Sequence, residues 1–413
     1  MDRITRAGLL APAAVLDVDV ECRTSAPVDE GPIDVSGYRT AYCLLRSDGI
    51  PTAMTFWDVD GDDSVDPAEL VRRAEADGVV EAPTADERNA VPAPGDMTVA
   101  LCTRERPDDL RRAIASLEAQ SDPAFTLLVV DNAPTTGATE EVVADSSLAH
   151  KVYVVEPRPG LSRARNRALA HVSTDYVAWF DDDETADRDW VRCLKEGFSH
   201  RSRPAAVSGL MLPAELESEA QIRFEQYGGF NKGRGVAPEV LRARTPSVRN
   251  PLYPLPGFGA GGNMAFRTEA LHRIGGFDQY LGAGTRTHGG EETLAFSSLL
   301  RMGEAVLHWP PAITWHYHRR DMPALERQLF GYSAGLSAFY ASVVRSRPLD
   351  AFQILKIVPH GLHDALPQED SLRSGHLPDD FPKHILQAAR RGFIKGAFLY
   401  LGEVRAGRRG TSA

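Results

Sequence analysis

Apolar positions between residues 97 and 180 come in short runs separated by amphipathic stretches. The runs at 97–102, 125–130, 151–155 and 176–180 are rich in β-branched and aromatic residues and too short for helices, so they predict four buried strands. Pro107 opens a predicted helix whose buried stripe is Leu110, Ile114 and Leu117, at i, i+4 and i+7. Further helices are predicted over 140–144 and 162–171. Strands that alternate with helices and are apolar throughout predict an α/β domain, its parallel sheet covered on both faces and joined by right-handed crossovers.

The pattern differs on either side. Residues 38–45 and 52–57 predict two strands around a Ser47-Asp48-Gly49 turn, followed by a helix over 66–76. The stretch 81–96 is rich in Ala, Pro, Asp and Glu without periodicity, and predicts a linker. Glycine and aromatic residues dominate 256–290. A helix over 293–302 follows, amphipathic through Ala295, Leu299 and Met302 and ended by Gly303, and then strands over 305–308 and 313–317. From 324 onward the pattern is helical. Its last part, 385–404, mixes Ile, Phe, Leu and Tyr with Arg390, Arg391 and Lys395. A basic amphipathic helix of this kind packs on its own domain, the commoner outcome, or rests on a membrane surface. Three parts result: a small N-terminal α+β domain with its linker over 1–92, an α/β domain over 93–323, and a helical extension over 324–413.

Charge and cysteine usage narrow the function classes. A net charge of −11 argues against a broad nucleic-acid-binding face. Cys22, Cys43, Cys102 and Cys193 are scattered without metal-ligand spacing and read as free thiols in a reducing compartment. Asp17 and Asp19 interrupt the N-terminal apolar stretch too early for a signal peptide. No run reaches the ~18 apolar residues of a spanning helix. The expectation is a cytoplasmic chain, at most in contact with the inner face of a membrane through its C-terminal helices.

The chemistry begins at Asp181, Asp182 and Asp183, which end the predicted strand Tyr176-Val177-Ala178-Trp179-Phe180. A strand of an open α/β sheet delivers such residues to the carboxyl edge, where ligands bind. Three adjacent anions repel unless a cation or a ligand's donors offset them. Mg²⁺ or Mn²⁺ holding a polyphosphate meets that need. Two more strand ends reach the same edge: Thr103-Arg104-Glu105-Arg106-Pro107 after the first strand, and Asp131-Asn132 after the second. Helix N-termini following these loops favour phosphate. Two other patterns are weaker. Asp58 to Glu69 has the acidic spacing of a calcium loop, but Asp63 stands where the turn needs glycine and strands precede it. Gly257 to Gly262 is glycine-rich but does not follow a strand.

The stretches VALCTRERPDDL (99–110), VVDNAP (129–134), GLSRARNRAL (160–169), YVAWFDDDE (176–184), GGNMAFRTEALHRIGGFD (261–278) and GGEETL (289–294) occur in one order and spacing. As a set they resemble the inverting, nucleotide-sugar-dependent glycosyltransferases of family 2, over roughly 97–320. The resemblance implies a GT-A fold, Rossmann-like with a mostly parallel sheet flanked by helices, and a DXD metal motif. It implies that Thr103, Arg104 and Asp131 line a nucleoside pocket and that Arg165 and Asn166 support that pocket or the diphosphate. Asp181 would contact ribose or sugar, or the metal; Asp183 would ligate the metal; Asp182 stays open between these roles. Gly261, Gly262, Asn263 and Met264 would form the loop beneath the donor sugar and acceptor. Glu291 and Glu292 match the family's acidic pair before a helix, whose second member is the base that takes the acceptor hydroxyl's proton. Glu292 stands where aspartate is usual, which extends the carboxylate by about one bond length. His316 and His318 both qualify for a metal contact, with His318 preferred. Trp190, Tyr280, Trp309 and Trp315 are available for sugar stacking or for the core.

The expected activity is transfer of a sugar, of hexosyltransferase type, from a UDP-sugar, with a dTDP-sugar open, to an unidentified acceptor hydroxyl. The cofactor is Mn²⁺ or Mg²⁺. The alternative is a catalytically inactive nucleotide- or glycan-binding module, motivated by the glutamate at 292. A nucleotidyltransferase would bring a Gly-rich basic phosphate loop, which 103–107 does not supply.

Overall fold

The structure is a computed structural model. It describes residues 1–410 except 20–23, 26–31, 80–82, 89, 232–233, 247, 255–256 and 366–376. Cys22 and part of the predicted linker lie outside the described residues.

Among the described residues, the elements before the central domain are β1 (Arg3–Ile4), β2 (Ala13–Asp19), β3 (Thr24–Ser25), β4 (Ile33–Asp34), β5 (Thr40–Ser47), β6 (Ile50–Asp58), β7 (Ser64–Val65), α1 (Pro67–Ala76) and α2 (Ala85–Arg88). Five of the strands form a sheet in the order β1-β6-β5-β2-β3, and β4 pairs with β7. Leu16, Val18, Cys43, Leu45 and Trp57 pack beneath α1 through Leu70, Val71 and Ala74. The acids of the calcium-like stretch are used locally. Asp66 caps α1 through the Ala68 N–H at 2.8 Å, and Glu69 pairs with Arg72 and Arg73, each at 2.7 Å.

The central domain contains β8 (Met97–Thr103), α3 (Pro107–Glu118), β9 (Phe125–Asn132), α4 (Ala138–Asp145), β10 (Lys151–Glu156), α5 (Leu161–Leu169), β11 (Tyr176–Asp181), β12 (Glu184–Ala186), α6 (Trp190–Ser199), β13 (Ala206–Pro213), α7 (Glu219–Gln226), β14 (Glu239–Leu241), β15 (Met264–Arg267), α8 (Thr268–Arg273), α9 (Glu291–Arg301) and β16 (Val306–His316). The sheet order is β10-β9-β8-β11-β15-β13-β16-β12, with β14 on the side of β16. The first four strands are parallel, as their apolar pattern requires. The sheet as a whole is mixed, because β15 runs antiparallel to both β11 and β13. One core lies under α3, α4 and α6, and the other under α5, α8 and α9. This is the helix-flanked α/β architecture expected of a GT-A domain. The two strands predicted over 305–308 and 313–317 are a single strand, β16. Pro310 and Pro311 cannot donate to the ladder, and the pairing with β13 shifts register there.

Among the described residues, three helices follow: α10 (Met322–Ser346), α11 (Asp350–Ala365) and α12 (Lys383–Gly410). Helix α12 packs along α10. No helix among the described residues is long and apolar enough to cross a membrane.

Candidate active site

Strands β8 and β11 are hydrogen-bonded in register, with Asp181 opposite Cys102, so their loops open at the same edge. There a cleft of ≈ 1430 Å³ is lined by Thr103, Arg104, Arg106, Asn132, Arg165, Asp181–Asp183, Glu184, Gly261, Gly262, Glu291, Glu292, His316 and Arg319, among others.

The three aspartates face different ways. Asp182 is tied to the first loop: Thr103 Oγ1 donates to it at 2.6 Å and Arg106 at 2.9 Å. Burial, and then the Asp183 charge, push its carboxyl up to about 6. Asp183 receives Arg106 and Arg319, each at 3.2 Å, and His316 Nε2 lies 3.4 Å from its other oxygen. Burial alone would raise its pKa; these cationic and hydrogen-bonding neighbours reverse the direction and hold it below the ordinary carboxylate value. Asp181 lies 3.5 Å from Arg165 and is raised, chiefly by burial.

Glu184, on β12, turns back under this group. It is 0% exposed, and among the described residues neither of its oxygens has a hydrogen bond. Burial and the charges of Asp181 and Asp183 raise its pKa well above the ordinary value. Ligand oxygens of Asp181, Asp183 and Glu184 all lie within 4.8 Å of one another. A buried carboxylate lacking donors beside two more is costly without a cation, and an all-oxygen donor set suits Mg²⁺ or Mn²⁺. These residues therefore fit a divalent ion. Gly262 passes directly over them. A Cβ there would come within 1.8 Å of Glu184 Oε1 and 2.9 Å of Asp181 Oδ2, so only glycine lets the backbone approach.

Of the two candidate histidines, His316 stands nearer the acids. His316, not His318, faces Asp183. His318 is buried behind it, its Nδ1 2.8 Å from His316 Nδ1 and its Nε2 3.1 Å from Glu225 on α7. Burial lowers the His318 pKa and favours a neutral ring. His318 donates from Nε2 to Glu225, so its neutral ring accepts at Nδ1 from His316 Nδ1, which leaves His316 Nε2 toward Asp183.

The α9 N-terminus delivers the acidic pair. Gly290, at φ 95°, turns the chain into the helix. Glu291 is buried, and its Oε1 accepts from Arg165 at 3.1 Å. Burial and then the Glu292 charge push its pKa up to about 8. Glu292 is half-buried in the cleft wall and accepts from the Thr293 hydroxyl at 3.2 Å. Arg165 is fully buried and also donates to the Gly261 carbonyl at 3.0 Å. It thereby ties α5, α9 and the glycine loop together.

Besides His318, the predicted residues Asp131, Asn166, Asn263 and Met264 do not line the cleft. Asp131 is buried and accepts from Tyr153 at 2.9 Å; its neighbour Asn132 lines the cleft instead. Asn166 bonds both the carbonyl and the N–H of Phe277. Asn263 accepts from Trp190 and donates to the carbonyls of Leu210 and Ala312. Trp190 and Trp309 are core residues, and the aromatics at the cleft are Phe224, Tyr227, Phe230, Phe258, Phe296, Phe330 and Tyr332. The sequence signal for Glu184, Arg106 and Arg319 was adjacency to motif residues. Nothing local marked Tyr227 or Phe230.

Residues 98–275 match the model of glycosyl transferase family 2. A pre-mycofactocin glycosyltransferase of Mycobacterium tuberculosis is 25% identical over 235 residues, 56% of this chain and 44% of that protein. A glucosyl-dolichyl phosphate glucuronosyltransferase of Haloferax volcanii is 24% identical over 194 residues, 45% of this chain and 57% of its own length. The chain thus spans about half the length of these curated relatives. A solved mannosyltransferase of Pyrobaculum calidifontis, in complex with GDP-Man and Mn²⁺, is similar over 83% of both chains, at 17% identity and a TM-score of 0.46. Over residues 98–275 the chain carries a glycosyl transferase family 2 domain.

Proposed function

We propose that this cleft transfers a sugar from a nucleoside diphosphate sugar to an acceptor hydroxyl, with inversion and with a divalent cation. The observation that carries the reading is the convergence of Asp181, Asp183, Glu184 and Glu292 on one cleft at the carboxyl edge of the sheet. Asp181, Asp183 and Glu184, with His316 beside them, would hold Mn²⁺ or Mg²⁺, which when bound offsets charge on the departing diphosphate. Arg106 and Arg319, paired with Asp183, stand where they can turn to that diphosphate. Glu292 takes the acceptor proton. Glu291 acts through Arg165, holding the glycine loop against the acids. The cleft volume exceeds what a single small ligand occupies and suits a donor with its acceptor.

UDP-sugar remains the first donor to test and dTDP-sugar the second. The relatives' names include a glucuronosyltransferase acting on a dolichyl phosphate, so the sugar and acceptor stay open. The test is a melting-temperature panel of UDP, GDP, dTDP and CDP with and without Mn²⁺, on wild type and Asp183→Ala. One nucleotide should stabilise only with metal and only in wild type. No shift at millimolar nucleotide would remove the reading. Slow donor hydrolysis would separate an enzyme from an inactive binding module.

A further inference from the structure

Helix α12 starts at the cleft, where Ala388 and Arg391 line the wall and Arg391 pairs with Glu326 at 2.9 Å. Its inner face packs on α10. A Cβ at Gly392 or Gly396 would strike the Phe330 or Ala334 carbonyl at 2.1 and 2.0 Å, so the two backbones touch and the rotation of α12 is fixed. The outer face then presents Ile394, Phe398 and Leu401, which are 69%, 74% and 42% exposed among the described residues. Positions 390, 394, 398, 401, 405 and 408 fall on one stripe at helical spacing. The apolar centre is therefore bounded by Arg390 and Arg391 toward one end and by Arg405 and Arg408 toward the other, all exposed. Phe393 and Lys395 are exposed beside it. In a chain of net charge −11, this helix carries seven Lys or Arg and one acid, Glu403.

We propose that α12 lays this stripe on an anionic lipid surface, with the cleft mouth beside the headgroups. The apolar centre supplies insertion, and the arginines snorkel to phosphate at both ends. The charge pattern selects this occupant over a second copy of the chain. Basic-apolar-basic stripes oppose like charges whether two of them meet parallel or antiparallel. Helix α11, also on α10, exposes Phe352 and Leu355. The docking does not depend on the transfer reaction proposed above.

The experiment is flotation of the full chain with vesicles of phosphatidylcholine alone or mixed with phosphatidylglycerol. Binding is expected only to the mixed vesicles and should weaken with added salt. The double substitution Ile394→Asp, Phe398→Asp should reduce partitioning roughly tenfold or more. Arg390→Glu with Lys395→Glu should remove the preference for anionic lipid. These side chains are exposed, so the melting temperature and its nucleotide-dependent shift should stay unchanged. That separates failure of docking from failure of the active-site reading. Absence of flotation with mixed vesicles, or undiminished flotation of the Asp variant, overturns the proposal. So does self-association in sedimentation velocity that the Asp variant abolishes without any vesicle binding, which would give the face to a second copy.

Discussion

Glu184 and Glu292 are chemically alike and placed for opposite tasks. Glu292 sits in the cleft wall, where its oxygens are open to an acceptor. On the proposed mechanism, Glu292→Gln keeps the shape and removes the proton acceptor, so turnover should fall by roughly 10²–10⁴-fold while the nucleotide shift in melting temperature expected with metal persists. A residual rate near wild type would assign the base elsewhere. Glu184 is buried with its oxygens unbonded, a cost to the fold unless a cation is bound. Glu184→Gln is therefore expected to raise the melting temperature without metal and to weaken Mn²⁺ binding, read as free Mn²⁺ by electron paramagnetic resonance. Unchanged Mn²⁺ affinity would exclude Glu184 as a ligand. The triplet 181–183 stood out in sequence because adjacent like charges at a strand end demand an explanation, whereas the pair 291–292 stood out only through its match to the family's acidic pair. Asn166 and Asn263 bond backbone groups away from the cleft, and in sequence a buried amide of that kind looks the same as one that binds a ligand.

Helix α7 has a role that only three dimensions disclose. Glu225 accepts from His318, and His318 orders His316 toward Asp183, so a residue far from the motifs in sequence sets the tautomer at the acid cluster. Glu225→Ala should leave His318 without its acceptor and weaken Mn²⁺ binding by roughly 10–100-fold, as loss of an outer partner at a metal site does. Glu225→Gln, which keeps an acceptor, should recover part of that loss. A purely structural role would lower the melting temperature without this graded effect on affinity. The parallel strands β8 to β11 and the stripe of α3 were readable because burial on both sheet faces and helical periodicity leave direct marks. The reversed strand β15 and the continuous β16 were not. Direction within a sheet has no local signature, and Pro310-Pro311 resembles a strand end although it marks a register shift.

At the scale of the whole molecule, the N-terminal sheet is fastened to the central domain by shared apolar packing and one buried ion cluster. Leu9, Tyr42 and Leu44 meet Leu210, Leu212 and Ile313, and Arg46 donates to Asp17 and Asp187, each at 2.6 Å. No sequence pattern announced this contact, because each partner reads as an ordinary core or surface residue of its own element. Arg46→Ala leaves two carboxylates without their cation and should cost roughly 3–5 kcal/mol in urea unfolding. A second whole-molecule property is the acid limit of stability. His308 on β16 is buried, lies 3.1 Å from the Gly235 carbonyl, and has its pKa pushed down to about 4 by burial. Its unfolded value is the ordinary 6.5. Above pH 6.5 the ring is neutral in both states and its contribution is fully present. As pH falls from 6.5 toward 4, the unfolded chain takes up a proton that the folded chain refuses, so stability is lost with acidification. About 2 kcal/mol should go between pH 6.5 and pH 5. His318, also lowered by burial, adds a loss of the same sign. Urea midpoints at pH 7 and pH 5 in wild type and His308→Gln test this: the variant should start less stable yet lose less on acidification. An equal loss in both proteins would assign the acid sensitivity to other groups.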